Sequence, residues 1–138
     1  MACVRRQIEI ARSADDVWAL VGDPSTIAGW FPGIVECQID GTTRVITTAA
    51  GLPIPEEILS VDDIQRRFQY RVTSPLVGHH LGTIDVFALD DGRSLVSYAT
   101  DCEPDPMALI IGGATGAALA EIRRQLESSA PPPAPGAP

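Results

Sequence analysis

The feature that most limits how this chain can fold is its last long apolar segment, Asp105 to Ser128. Pro106 suits the first turn of a helix, and Arg123, Arg124 and Gln125 fill its last turns. On a 3.6-residue wheel, Met107, Ile111, Ala118, Ile122 and Leu126 fall on one stripe, flanked by Ala114, Thr115 and Leu119. The stripe is bulky at both ends and thin at its waist. Such a helix packs by its ends and leaves room at its centre, unless its Ala and Gly residues serve close backbone packing; the sequence leaves both readings open. The arrangement it predicts is a curved sheet wrapped around the helix, with a small apolar ligand in the gap. Gly112 and Gly113 each cost about 1 kcal/mol relative to Ala inside a helix, so a kink or a late helix start is the competing expectation there. The run Met107 to Ala120 is shorter than the ~20 residues a membrane span needs.

What precedes the helix changes rhythm twice. Val4 to Ala11 alternates as an opening strand. Ser13 has the character of an N-cap, with Asp15 and Asp16 in the first turn of a short helix that buries Val17, Leu20 and Val21 and ends at Gly22. Asp23-Pro24-Ser25 starts a second helical turn, closed by Trp30-Phe31-Pro32-Gly33. Two adjacent aromatics there read as a core plug or as part of a binding wall. From Ile34 the period is two: Val35, Cys37 and Ile39 alternate with polar residues up to the hairpin signal Asp40-Gly41. Strands follow at Thr43 to Thr48, Ile54 to Val61, Arg67 to Thr73, Leu81 to Leu89 and Leu95 to Cys102. One strand, two short helices, six consecutive antiparallel strands and a long helix make an α+β layout, with the helix covering one sheet face.

Composition narrows the function classes. The length, 138 residues, suits one domain, 1–128, and the Ala/Pro-rich end, 129–138, reads as a disordered tail. All ten basic residues are Arg, and a net charge of −8 argues against nucleic acid or an anionic membrane as the main partner. Cys3, Cys37 and Cys102 are scattered, as expected of incidental thiols in a reducing compartment. No apolar leader precedes Ser13, so a cytoplasmic location is the default. His79 and His80 are adjacent and point to opposite faces of a strand, which disfavours a shared metal; no dinucleotide or phosphate-loop fingerprint is present, and no cofactor is expected.

The segments Ala14-Asp15-Asp16-Val17-Trp18, Asp23-Pro24 and Trp30-Phe31-Pro32, taken in this order with the strands and final helix, resemble the START/SRPBCC superfamily. That superfamily includes polyketide cyclase/dehydrase-like proteins, START lipid carriers and the birch pollen allergen group. The resemblance covers residues 4 to 128. It implies a helix-grip fold, a seven-stranded antiparallel sheet curled around the C-terminal helix with a cavity between them. A more local likeness is to the plant abscisic acid receptors. Gly51-Leu52-Pro53 follows the order of their gate loop, and His79-His80-Leu81 is similar to their latch, so both loops would flank a cavity mouth. Those receptors hold the hormone carboxylate with a lysine that would fall around Trp30 to Pro32, and this chain has no Lys.

Candidate site residues follow from parity and from that likeness. Ile54, Glu56 and Ile58 share one strand face. If it is the inner face, Glu56 is a carboxylate in an apolar wall with a raised pKa, an anchor or a general acid/base; if the register differs, Glu57 points inward instead. Phe68 and Tyr70 share a face with Val72. The family register turns His80, Ile84 and Tyr98 inward as well. Trp30, Phe31 and Leu52 would border the cavity, and Ile111, Thr115, Ala118 and Leu119 would meet the ligand from the helix, with Thr115 opposite Glu56 and Tyr70. In any sandwich Phe68 and Ile84 would equally be ordinary core. The leading expectation is a protein that binds a hydrophobic small molecule: a lipid, polyketide or isoprenoid-like metabolite. The alternative is a cofactor-independent polyketide cyclase or dehydratase using Glu56 with Tyr70 or His80. Against it stands the expectation that no second charged side chain points inward. A third reading is a protein-interaction module docking through the Pro-rich tail.

Overall fold

A computed structural model describes residues 1–129; all but the first residue of the expected tail lies outside that range. Seven strands form one antiparallel sheet in the order β1-β7-β6-β5-β4-β3-β2. They are β1 (Ala2–Ile10), β2 (Ile34–Asp40), β3 (Thr43–Thr48), β4 (Pro53–Asp62), β5 (Arg67–Val72), β6 (His79–Ala88) and β7 (Ser94–Glu103). Helix α1 (Ala14–Val21) and a short 3-10 helix (Pro24–Gly29) separate β1 from β2, and α2 (Asp105–Ser128) follows β7. This is the helix-grip architecture.

The local chemistry accounts for the boundaries. The Ser13 hydroxyl accepts from Asp16 N at 3.1 Å and caps α1, and the Asp23 carboxylate does the same for Ser25 N ahead of Pro24. Asp40 pairs with Thr43 across a two-residue turn, where Gly41 takes φ +61° at no steric cost. Two register shifts, between Ile34 and Glu36 and between Ile58 and Ser60, interrupt the ladders on β2 and β4. Bulges of this kind bend a strand, which suits a sheet that must curl around a helix.

Helix α2 runs unbroken through Gly112 and Gly113 and packs over β1 and β7. Its C-terminal half is core: Ala118, Leu119 and Ile122 lie with Ile10, Val17, Val21, Val86 and Val96. Burying each of the larger aliphatics stabilises by about 1.5–3 kcal/mol. Arg12, just before α1, closes the helix end by donating from Nη1 to Leu126 O at 2.6 Å and Ser129 O at 2.9 Å. A cation there also complements the helix dipole.

The waist of the helix needs a correction. Its small residues seat the helix on the sheet at Gly112, where an added Cβ would stand 2.5 Å from Val4 Cγ1. The Thr115 hydroxyl is turned back to donate to Gly112 O at 3.0 Å. The hollow lies one face over and nearer the N-terminus, beneath Met107, Ile110, Ile111 and Ala114. Two neighbouring glycines therefore behave oppositely. Gly112→Ala is expected to cost about 1–3 kcal/mol by overpacking against Val4. Gly113→Ala meets open space and should gain most of the ~1 kcal/mol helix-propensity difference. Urea midpoints of the two variants, read against the unchanged protein, check both signs.

Candidate functional site

A cavity of about 400 Å³ lies between the first half of α2 and the inner face of β3, β4 and β5. Ile27, Ile34, Ile46, Ile54 and Val72 give it an aliphatic wall, and segments 31–34 and 74–77 border it. Among the described residues, only Thr48, Glu56, Tyr70, Ser74 and His80 bring polar side chains to the lining.

Strand parity decides which glutamate enters. Glu56 is 3% exposed and lines the cavity, whereas Glu57 faces out and accepts from Arg71 Nε at 2.8 Å. Directly across the β3–β4 ladder from Glu56 is Arg44, itself 1% exposed. Its Nε donates to Glu56 Oε2 at 2.6 Å and its Nη1 to Pro24 O at 3.0 Å. The guanidinium carbon sits 5.3 Å from the Phe68 ring centre and 5.1 Å from that of Tyr70, a cation–π arrangement on both. The expectation of a single inward charge is thus corrected: there are two, and they form an ion pair. Burial pushes the Glu56 carboxyl above its ordinary value, and Arg44 pulls back only part of that rise. Glu56 Oε1 accepts no hydrogen bond from any described residue.

Tyr70 stands beside this pair. Its hydroxyl and that of Tyr98 are 2.6 Å apart, and burial pushes both phenols upward. The Tyr70 ring stacks on Phe68 and lies so close to β6 that a Cβ at residue 82 would be 2.5 Å from Tyr70 Cε1. Glycine at position 82 is what lets the ring lie there. His80 closes the wall where β6 begins. Its Nδ1 accepts from Val72 N at 3.0 Å, so the neutral ring carries its proton on Nε2. That Nε2 is buried and has no partner among the described residues. Burial chiefly, with His79 adding, lowers the His80 pKa to about 4, against an opposing pull from Asp101.

Of the side chains singled out from the sequence, Phe31, Ile54, Glu56, Tyr70, His80 and Ile111 come together on the lining. Phe68, Ile84 and Tyr98 lie in the packed core beside it, with Ala118 and Leu119. Trp30 is buried and its indole donates to Thr26 Oγ1 at 3.0 Å. Ile58 is half-buried against the core, and Thr115 is buried off the lining. Leu52 is 50% exposed and does not reach the cavity. Not among the candidates were Arg44 beside the lining and, on it, Ile27, Ile34, Ile46, Thr48, Ile110 and the 74–77 segment. Arg44 was within reach: the Asp40-Gly41 turn sets Ile39 opposite Arg44 and Cys37 opposite Ile46. The face that carries Cys37 and Ile39 must then carry Arg44 and Ile46 too. Segment 74–77 has no periodicity to read.

Among the described residues no helix is long and apolar enough to cross a membrane, and no three His, Cys, Asp or Glu side chains gather as a metal site. The site is an apolar chamber whose buried polar groups are one acceptor, Glu56, and two donors, Tyr70 and His80, with the Thr48 and Ser74 hydroxyls at its border and a cation masked behind Glu56. It can hold a small amphipathic molecule and offer it a proton.

The folds it resembles are known ones. The chain superposes on protein XoxI from Bacillus cereus with a TM-score of 0.87 at 23% identity, covering 93% of this chain and 97% of that one. A START superfamily protein from Mycobacterium smegmatis matches with a TM-score of 0.72 at 18% identity, over 90% of this chain and 98% of that one. Norcoclaurine synthase from Thalictrum flavum, in complex with dopamine and hydroxybenzaldehyde, matches with a TM-score of 0.73 at 21% identity, over 94% and 88% of the two chains. At these identities the likeness is one of fold. No curated protein matches the sequence. The family model described as polyketide cyclase / dehydrase and lipid transport spans residues 1–129, nearly the whole chain, and with the helix-grip fold around it this chain belongs to that family.

Proposed function

We propose that this protein binds an apolar or amphipathic metabolite, of lipid, polyketide or isoprenoid type, inside the chamber under α2. The observation that carries the reading is the chamber itself, about 400 Å³ with an aliphatic and aromatic wall and few polar groups. Ligand pockets run from about 300 to 1,000 Å³ and fix orientation with a small number of polar contacts. Affinity would come from apolar burial at about 25 cal/mol per Å². A chamber at the low end of the range suits one chain or a few fused rings. Titrating delipidated protein with apolar fluorophores of increasing length should give saturable binding, and Ile111→Trp, which fills the chamber, should weaken it. Absence of saturable binding at every length would overturn the reading.

A second reading, catalysis, is favoured by one observation. The Glu56 carboxylate and the Tyr70 hydroxyl share the wall of the chamber, and both side chains are buried. Folding a polyketone and moving a proton from an α-carbon needs shape and one acid/base pair. The similarly folded norcoclaurine synthase is seen with two small aromatic molecules. Turnover of a substrate that survives unchanged in both Glu56→Gln and Tyr70→Phe would remove this reading.

A further inference from the structure

We infer that the chamber selects an uncharged ligand, one that offers a carbonyl-type oxygen to Tyr70 and His80 and a hydroxyl to Glu56, and that it rejects carboxylates. This rests on the binding reading above and narrows it to a ligand class.

Tyr70 and Tyr98 own two hydroxyl protons, and the single contact between them at 2.6 Å uses one. Only Tyr70 reaches the chamber, so the arrangement that satisfies both is Tyr98 donating to Tyr70, with the Tyr70 proton directed at the ligand. His80 has accepted the Val72 N–H at Nδ1, which leaves Nε2–H as a buried donor with nothing to bond. A buried donor left unpaired costs about 1–3 kcal/mol, so an acceptor brought to it is rewarded. Glu56 has committed Oε2 to Arg44 and keeps Oε1 as an acceptor. These three buried groups present two donors and one acceptor, and the Thr48 and Ser74 hydroxyls, which accept from Leu52 N and Leu76 N, add donors at the border.

Charge decides what may use them. No Arg lines the chamber, and the chain has no Lys. Arg44 lies behind Glu56, off the lining, with Nε and Nη1 engaged and Nη2 buried without a partner among the described residues. His80 is neutral at ordinary pH. A ligand carboxylate would lose its hydration, meet no cation on the described lining and face the Glu56 carboxylate. A ketone with a hydroxyl meets each group with its complement. Spacing adds a constraint: Glu56 pairs with Val72, whose N–H reaches His80, so Glu56 and His80 flank Val72 on adjacent strands. Strand separation puts their Cα atoms roughly 10 Å apart. Tyr70 stands between them on β5, beside the Arg44–Glu56 pair, so the two polar groups of the ligand should sit on one compact ring system.

The test uses four naphthalenes of matched skeleton: an acetyl group with a hydroxyl on the other ring, the acetyl compound without the hydroxyl, the hydroxyl compound with ethyl in place of acetyl, and the hydroxy-carboxylate. Fluorescence titration should rank the first tightest, with a loss of roughly fivefold or more for each missing group and a larger loss for the carboxylate. In Tyr70→Phe the preference for acetyl over ethyl should shrink toward one. Equal binding of all four, or tightest binding of the carboxylate, would overturn this inference and leave the chamber a general apolar site. Failure of all four together with the apolar fluorophores would instead bring down the binding reading itself.

Discussion

Glu56→Ala is expected to destabilise the protein by about 3–5 kcal/mol, because it leaves the Arg44 guanidinium charged, buried and without its carboxylate. Arg44→Ala should cost a similar amount from the other side. The neighbouring pair is the built-in control. Glu57 and Arg71 sit on the outer face of the same ladder, half-exposed, and Glu57→Ala should cost no more than about 1 kcal/mol. Two consecutive carboxylates on one strand thus differ severalfold in effect, and burial alone separates them. The double variant Arg44→Met with Glu56→Leu should recover most of the loss, since an ion pair in an apolar setting adds little over hydrophobic residues of similar size. A double-mutant cycle from urea unfolding measures the coupling. A cost below about 1 kcal/mol for Glu56→Ala would mean that water in the chamber solvates Arg44, and the wall would have to be redrawn as wet.

The contrast between those glutamates also marks what the sequence could say. Parity along Ile54-Pro55-Glu56-Glu57-Ile58 grouped Glu56 with two isoleucines and left Glu57 as the alternative, because a strand with one buried face has only two registers. The hairpin at Asp40-Gly41 and the Ser13 cap were equally legible, since each is a local signal with a local cause. Arg44 was not read as inward, because Val45 and Ile46 are both β-branched and either could have been the core residue of β3. The register of the preceding hairpin settles it, but only once the turn is taken as fixed. The waist of α2 misled for a different reason. A small residue reports that something comes close or that nothing does, and Gly112 against Val4 and Ala114 over the chamber look the same in a string of letters. The 74–77 segment lines the chamber by tertiary placement alone, and no periodic pattern carries that.

Acid should loosen the protein through His80. Its folded-state pKa is about 4, below the ordinary 6.5, so between these values the unfolded chain binds a proton that the folded one refuses. Stability contributed by the neutral ring is complete above pH 6.5 and is lost as the pH falls toward 4. The gap corresponds to roughly 3 kcal/mol at its full extent. Glu56 works against this: its raised carboxyl takes up a proton earlier in the folded state than in the unfolded one, so it returns some stability on acidification. The two are separable by substitution. His80→Asn keeps an acceptor of similar reach for Val72 N–H while removing the titration, so the wild-type protein should lose stability relative to the variant as pH falls from 7 to 4. Parallel stability curves from denaturation at a series of pH values would show that His80 does not carry the effect. The location of the histidine gives the titration a functional edge. Nδ1 holds β5 to β6 through the Val72 N–H only while it is unprotonated, and that junction is part of the chamber wall. An imidazolium there must give up the Val72 bond, so acid should release bound ligand at pH values where the sheet as a whole is still folded.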